Sequence, residues 1–281
     1  MRLGWHVTAG AFALGLLGVA AFLWWRQAPE QAAPQAAQPL AAPRPAAPAV
    51  APQERAAAAS APPVLYPIEP VPTAEPPAAP LDVQAALTDL FGRKAVLSVF
   101  QLDDFARRLV ATVDNLGRQH APPSLWPVNP VAGRFLVDKT GAGSFISPDN
   151  GLRYTPFVLL VETVDLRKVD AVYRQLYPQL QRAYEAIGFP NRYFNDRLIE
   201  VIDQLLATPE SEAPLAVRLP EIKGPLQPER PWVLYEFDDP ALQGLSAGQR
   251  LLLRVGPVNE RRLKLKLAEL RRLVSAGAPP R

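Results

Sequence analysis

The sequence predicts a mainly α (α+β) fold. A helical domain with one or two small antiparallel β elements spans residues 81–281, after one transmembrane helix (1–26) and a disordered Ala/Pro-rich linker (27–80). Three observations predict it. Downstream of residue 80, apolar residues recur at 3/4 spacing in several windows, as in helices with one buried stripe. Between those windows lie short β-branched and aromatic runs bounded by glycine- and asparagine-containing turn signals. Upstream, the chain changes character twice, from an apolar run to a proline-rich stretch.

Gly4–Trp25 carries no Asp, Glu, Lys or Arg, and about 20 apolar residues suffice to cross a bilayer as a helix. The run ends in Trp24, Trp25 and Arg26, residues that mark a membrane–water interface. A cleaved signal peptide has a shorter apolar core followed by a small-residue cleavage site, so the run reads as a retained anchor. The α-amino group and Arg2 stand on one side, and Arg26, offset by Glu30, on the other. That difference places the N-terminus in the cytoplasm and the remainder across the membrane, in the periplasm if the source is a Gram-negative bacterium. The expectation in that case is a single-pass protein of the bacterial inner membrane.

Residues 27–80 contain 19 Ala and 15 Pro. Such composition buries too little surface to offset its ordering entropy. A Pro-rich spacer advances by about 3.1 Å per residue, for a reach of at most roughly 170 Å. Val64–Ile68 (VLYPI) is its apolar island and is expected to pack on the domain.

Positive and negative residues cancel over 1–80, so the net charge of +3 belongs to the domain. That is too mild for nucleic acid. The chain has no cysteine, which excludes disulfides, thiol nucleophiles and thiolate metal sites, and 200 residues can hold a fold by their core alone.

Within the domain, Leu102, Phe105, Leu109, Val113 and Leu116 form one stripe of a first helix, with Asp103–Arg107 and Asp104–Arg108 as i,i+4 pairs opposite. Strands are predicted at 134–138, 144–147 and 157–162 (FVLLVE), around turns at 141–143 and 149–151. A helix follows over 166–187, with Pro178 expected to kink or split it and Gly188-Phe189-Pro190 stopping it. The next covers 193–207 and buries Phe194, Leu198, Val201, Ile202 and Leu205. Residues 215–219 and 232–237 form a second strand pair. Ser246-Ala247-Gly248-Gln249 is a capping box opening a helix over 247–255, and a last helix covers 258–275.

Four stretches carry a resemblance: RRLVATVDNL (107–116), PSLWPV (123–128), RYFNDRLIEVIDQLLATPE (192–210) and YEFDDPALQGLSAGQRLLLRVGP (235–257). They resemble a bacterial membrane-anchored family known only as domain of unknown function number 3014. The resemblance covers nearly all of 81–275. It implies an N-terminal membrane helix and a Pro/Ala-rich segment before the domain, and it brings no established activity, cofactor or catalytic residue.

Candidate sites are few. Gly244–Gly248 matches G-x-S-x-G, but that elbow needs a strand before the serine and a histidine after it. Asp239-Pro240 interrupts the approach and no histidine follows, so capping accounts for Ser246. His120, the domain's one histidine, sits in a loop and supports neither a catalytic base nor a zinc site. Asp196, Glu200 and Asp203 share a helix face that is either solvated or, in a wall-directed hydrolase, a source of paired carboxylates. Asp114 ends a helix, where the dipole disfavours an anion. It is expected to cap that end or to pair with Arg134 or Arg197. Tyr193, Asn195 and Asp196, with Trp126, Tyr154 and Trp232, either line a groove for peptide or glycan or anchor the core. The last helix carries Arg261, Arg262, Lys264, Lys266, Arg271 and Arg272, a basic face suited to anionic lipid or to solvent.

The expected function is a periplasmic binding or scaffolding module of the cell envelope. Its candidate groove is Asp114, Trp126, Arg134, Tyr154, Tyr193, Asn195, Asp196 and Arg197, its partners the membrane and an envelope protein or peptidoglycan, and no cofactor is called for. The alternative is a cell-wall hydrolase using the helix-borne carboxylates.

Overall fold

The first helix among the described residues opens at Asp82, whose carboxylate accepts the Ala85 amide at 3.1 Å and caps α1 (Val83–Phe91). Gly92, at φ +80°, turns the chain at once into α2 (Arg93–Val99). Neither helix was anticipated by apolar periodicity. The computed structural model describes residues 62–68, 81–141, 143–221 and 229–276. The predicted transmembrane helix, and the linker apart from 62–68, lie outside these residues. Among those described, no helix is long and apolar enough to cross a membrane.

The helix α3 (Phe105–Leu116) buries Phe105, Val110 and Val113. It starts at 105 because Asp104 adopts a left-handed conformation, φ 54°. Leu102, Asp103 and Asp104 therefore fall outside the helical register, and the expected i,i+4 pairs do not form. Arg107 pairs with Asp104 at 3.3 Å, while Arg108 donates to the Asp103 and Ser124 carbonyls at 2.9 and 2.7 Å.

Two small antiparallel pairs follow. Strands β1 (Val137–Thr140) and β2 (Gly143–Ile146) form a hairpin in which Val137 faces Ile146; β1 lies further along than the predicted 134–138. Strands β3 (Val217–Arg218) and β4 (Glu236–Phe237) pair later in the chain, and a bridge between Phe145 and Ala216 links the two pairs.

The predicted strand at 157–162 is the second half of a helix, α4 (Asn150–Thr163), and the predicted turn at 149–151 is its start. Asn150 is 1% exposed. Its side chain donates to the Leu136 carbonyl at 2.6 Å and accepts the Leu136 amide at 2.9 Å, tying the helix start to the strand layer. The helix α5 (Leu166–Ala186) runs as one element through Pro178, so the predicted split does not occur. Pro156 and Pro178 are both exposed. The carbonyl four residues back lies on the same face, where water can replace the missing amide.

Helices α6 (Phe194–Leu206), α7 (Pro240–Gln243), α8 (Ala247–Arg254) and α9 (Pro257–Val274) complete the order. The capping box forms: Gln249 N–H donates to Ser246 Oγ and Ser246 N–H to Gln249 Oε1. Helix α3 packs on α5, α6 and α8, and α9 packs on α4, α5 and α6. The main core lies between them, around Val110, Leu180, Phe194 and Val201, and takes in Ile68; a smaller one holds Val217, Phe237 and Leu253 under the strands. At the α3–α8 crossing a Cβ on Gly248 would come within 2.6 Å of Leu205 Cδ2 and 3.0 Å of the Leu116 carbonyl, so a larger residue requires Leu205 and the end of α3 to shift. All these elements belong to one compact unit, Ala59–Arg281.

Candidate functional site

The N-terminus of α6 has no capping side chain of its own, and its orphan amides are met from α5. Gln181 Oε1 accepts the Phe194 amide at 2.9 Å, and Tyr177 Oη accepts the Asn195 amide at 3.2 Å. Burial pushes the Tyr173 and Tyr177 phenols above the ordinary tyrosine range, so both stay neutral and serve as hydrogen-bonding groups. Tyr173 donates to Asn195 Oδ1 at 3.0 Å, leaving the Asn195 amide group to donate to the Val274 and Tyr66 carbonyls at 3.0 and 2.8 Å. Asn195 is fully buried.

This end of α6 holds the apolar island of the linker. Asp196 Oδ2 and Oδ1 accept the Leu65 and Tyr66 amides at 3.0 and 2.8 Å, and Tyr193 Oη accepts the Ile68 amide at 2.8 Å. Asp196 stands in the first turn of α6, where the helix dipole favours an anion. The Tyr66 hydroxyl lies near Arg271, whose pKa is raised by its hydrogen bond to Asp203 and, to a lesser degree, by Tyr66. Burying Ile68 contributes about 2 kcal/mol, and the four hydrogen bonds together about 5 kcal/mol, the carboxylate ones being stronger. Ordering four residues, one of them a proline already restricted in φ, costs about 6 kcal/mol. The segment is therefore a strap held close to balance.

One residue further along α6, Arg197 reaches back to the end of α3. Its Nε donates to Asp114 Oδ1 and its Nη2 to the Asp114 carbonyl, both at 3.0 Å, and Arg118 Nε donates to Asp114 Oδ2 at 2.9 Å. Between the two partners expected for Asp114, the structure selects Arg197 and adds Arg118, while Arg134 stacks 4.2 Å above the Trp232 ring. Burial lowers the Arg197 pKa, but Glu200 and Asp114 together outweigh it and raise it overall. Glycine at 117 leaves room for this arginine: a Cβ there would stand 2.8 Å from Arg197 Nη2. An open cavity of about 550 Å³ lies alongside, lined by Arg107, Arg118, Asp114 and Phe189 among others.

The eight candidate residues thus divide. Tyr193, Asn195 and Asp196 form the strap site, and Asp114 and Arg197 the adjoining ion pair. Trp126 donates its indole N–H to the Ala121 carbonyl at 3.2 Å. Arg134 and Trp232 stack on each other, and Tyr154 lies near Arg153 and Arg254. Sequence reasoning missed Tyr173, Tyr177 and Gln181 as parts of the site. Their i,i+4 spacing on one face of α5 was the signal, but it also fits a core stripe.

The carboxylates of α6 all have partners: Asp196 the strap, Glu200 the Arg197 guanidinium at 2.9 Å, and Asp203 the Arg271 guanidinium. Five of the six basic residues of α9, all but exposed Arg272, face carboxylates. Arg261 faces Glu212 and Arg262 faces Glu162, both at 3.7 Å, and Lys264 lies 3.0 Å from buried Glu260. Burial raises the Glu260 carboxyl pKa above its ordinary value even so. Among the described residues, no group of three or more His, Asp or Glu side chains could hold a metal ion.

The family model described as "Protein of unknown function (DUF3014)" matches residues 105–271. The chain belongs to this family. The matched span runs from the start of α3 into α9, and so contains Asp114, Arg197 and the cleft side chains of the strap site. No curated protein and no solved structure matches the chain. The DUF3014 description carries no activity, so function has to be argued from the site.

Proposed function

We propose that this protein is a single-pass, membrane-anchored domain on the periplasmic side of the bacterial inner membrane, with a binding or scaffolding role in the cell envelope. One observation carries the reading: the proline-rich segment that follows the apolar N-terminal run is fastened to the folded domain at residues 65–68. A fastened tether sets where a domain stands relative to its anchor, which suits a module that presents a surface. The engagement of Asp196, Glu200 and Asp203 with amides and guanidinium groups supports a non-catalytic role for that helix face. The pairing of five of the six α9 cations with carboxylates of the same chain favours a protein or wall partner over anionic lipid.

The test combines membrane extraction with crosslinking in cells. The full chain is expected to resist alkaline carbonate, to be digested by protease only once the outer membrane is opened, and to crosslink to an envelope protein or wall fragment. Release by carbonate, or recovery free of any crosslinked partner, refutes the reading.

A further inference from the structure

The cleft at the start of α6 reads a backbone pattern. Residues 65, 66 and 68 each present an amide, and each is met, by Asp196 Oδ2, Asp196 Oδ1 and Tyr193 Oη. Position 67 is proline, which has no amide, and the chain bends at Leu65 and Tyr66 just before it. Asn195 meets the Tyr66 carbonyl, and Ile68 enters the main core. The matched pattern is an apolar–Tyr–Pro–apolar segment, bent so that two consecutive amides meet one carboxylate.

None of these contacts requires the segment to belong to the same chain. Twelve residues, 69–80, connect it to Leu81, and such a connection can span at most about 40 Å. Val64 and Leu65 flank the cleft yet remain 47% and 52% exposed, apolar surface that a second copy could cover. Exchange of an identical element between copies is a low-cost route to association because every contact made in trans already exists in cis.

We infer that the cleft is a peptide-binding site, and that its ligand in trans is the 64–68 segment of a second copy of this chain. This rests on the binding-or-scaffold reading above and names its partner. Within one chain the short connection supplies a millimolar effective concentration, so cis docking dominates in dilute solution. Exchange follows where copies are concentrated or where the cis contact is broken in a complementary way.

The test uses two full-length variants in detergent, each labelled at an introduced cysteine. The chain has none of its own, and Lys94 on α2 is exposed. Ile68→Asp empties the cleft of one chain, and Asp196→Ala frees the segment of the other. Energy transfer should stay at baseline for each variant alone and rise when the two are mixed at about 0.5 mM each, the range set by a near-balanced strap at millimolar effective concentration. Excess peptide of sequence PPVLYPI (62–68) should abolish the rise, as should Ile68→Asp in both chains. Tyr66→Pro serves as a second donor-defective chain that keeps Ile68. No rise with either donor-defective partner overturns the inference, and so does a rise that persists when both chains carry Ile68→Asp. Either failure leaves the carbonate and crosslinking results untouched, so the two proposals stand or fall separately.

Discussion

Replacing Asp114 with asparagine tests whether the buried charge at the end of α3 is structural. The Asp114 side chain is 8% exposed and that of Arg197 15%. The substitution removes the charge that faces two guanidinium groups, and it turns an amide N–H toward one of them. Breaking one partner of a buried pair costs about 3–5 kcal/mol. Arg197 keeps exposed Glu200 at 2.9 Å and half-exposed Arg118 can turn to water, so the lower end applies, about 3 kcal/mol. For a domain of this size that lowers Tm by about 6–12 °C. The assay is thermal unfolding of the full chain followed by circular dichroism, repeated with Arg197→Met and with the double variant. Contacting residues should couple, here by about 2 kcal/mol, so the double variant should melt well above the additive expectation. A Tm within about 1 °C of the parent refutes the structural assignment. A raised Tm would mean that Asp114 is kept at a cost to stability, as charges retained for ligand binding are.

Three further outcomes are expected. Gly248→Ala should destabilise by about 1–3 kcal/mol through overpacking at Leu205 and Leu116, seen as a lower urea midpoint with unchanged m; unchanged stability would contradict the close α3–α8 crossing. Ser246→Ala should cost about 1 kcal/mol by loss of the cap without altering crosslinking to a partner, whereas loss of the crosslink at unchanged stability would revive the serine as a functional group. Glu260 should make stability depend on pH. Its folded pKa lies above the ordinary 4.5, so the folded state retains a proton that the unfolded chain has released. That contribution is greatest below pH 4.5, declines as pH rises toward the folded value and levels off beyond it. Glu260→Gln should remove the decline in a series of urea titrations across this range, and a decline of equal size in the variant would assign it elsewhere.

Legibility followed the range of the interaction that decides each element. The helices α6, α8 and α9 could be read because their stripes, the Ser246–Gln249 box and Pro257 act within a turn or two of chain. FVLLVE could not, since a short apolar run fits a strand as well as a buried helix; the Asn150–Leu136 bonds and packing on α9, both long-range, made it helical. Helices α1 and α2 were missed although Asp82 and Gly92 are ordinary helix punctuation and Val83, Leu87, Leu90 and Phe91 recur at helical spacing, because each is short, nine and seven residues. The docking of Val64–Ile68 was anticipated from its contrast with the surrounding Ala and Pro, but not the side chains that receive it.

By itself the sequence determined a mainly helical domain of the DUF3014 family, the absence of thiol chemistry, and the strap's amide pattern, set by Leu65, Tyr66, Pro67 and Ile68. These follow from composition and near-neighbour geometry. Only the tertiary structure decided that Asp114 pairs with Arg197 and Arg118 while Arg134 stacks on Trp232. Only it showed that α6 is capped by Gln181 and Tyr177 of another helix, and that Asp196 binds backbone amides about 130 residues earlier in the chain. Each of those choices is made by groups that meet only after the helices pack, and no local pattern ranks the available partners.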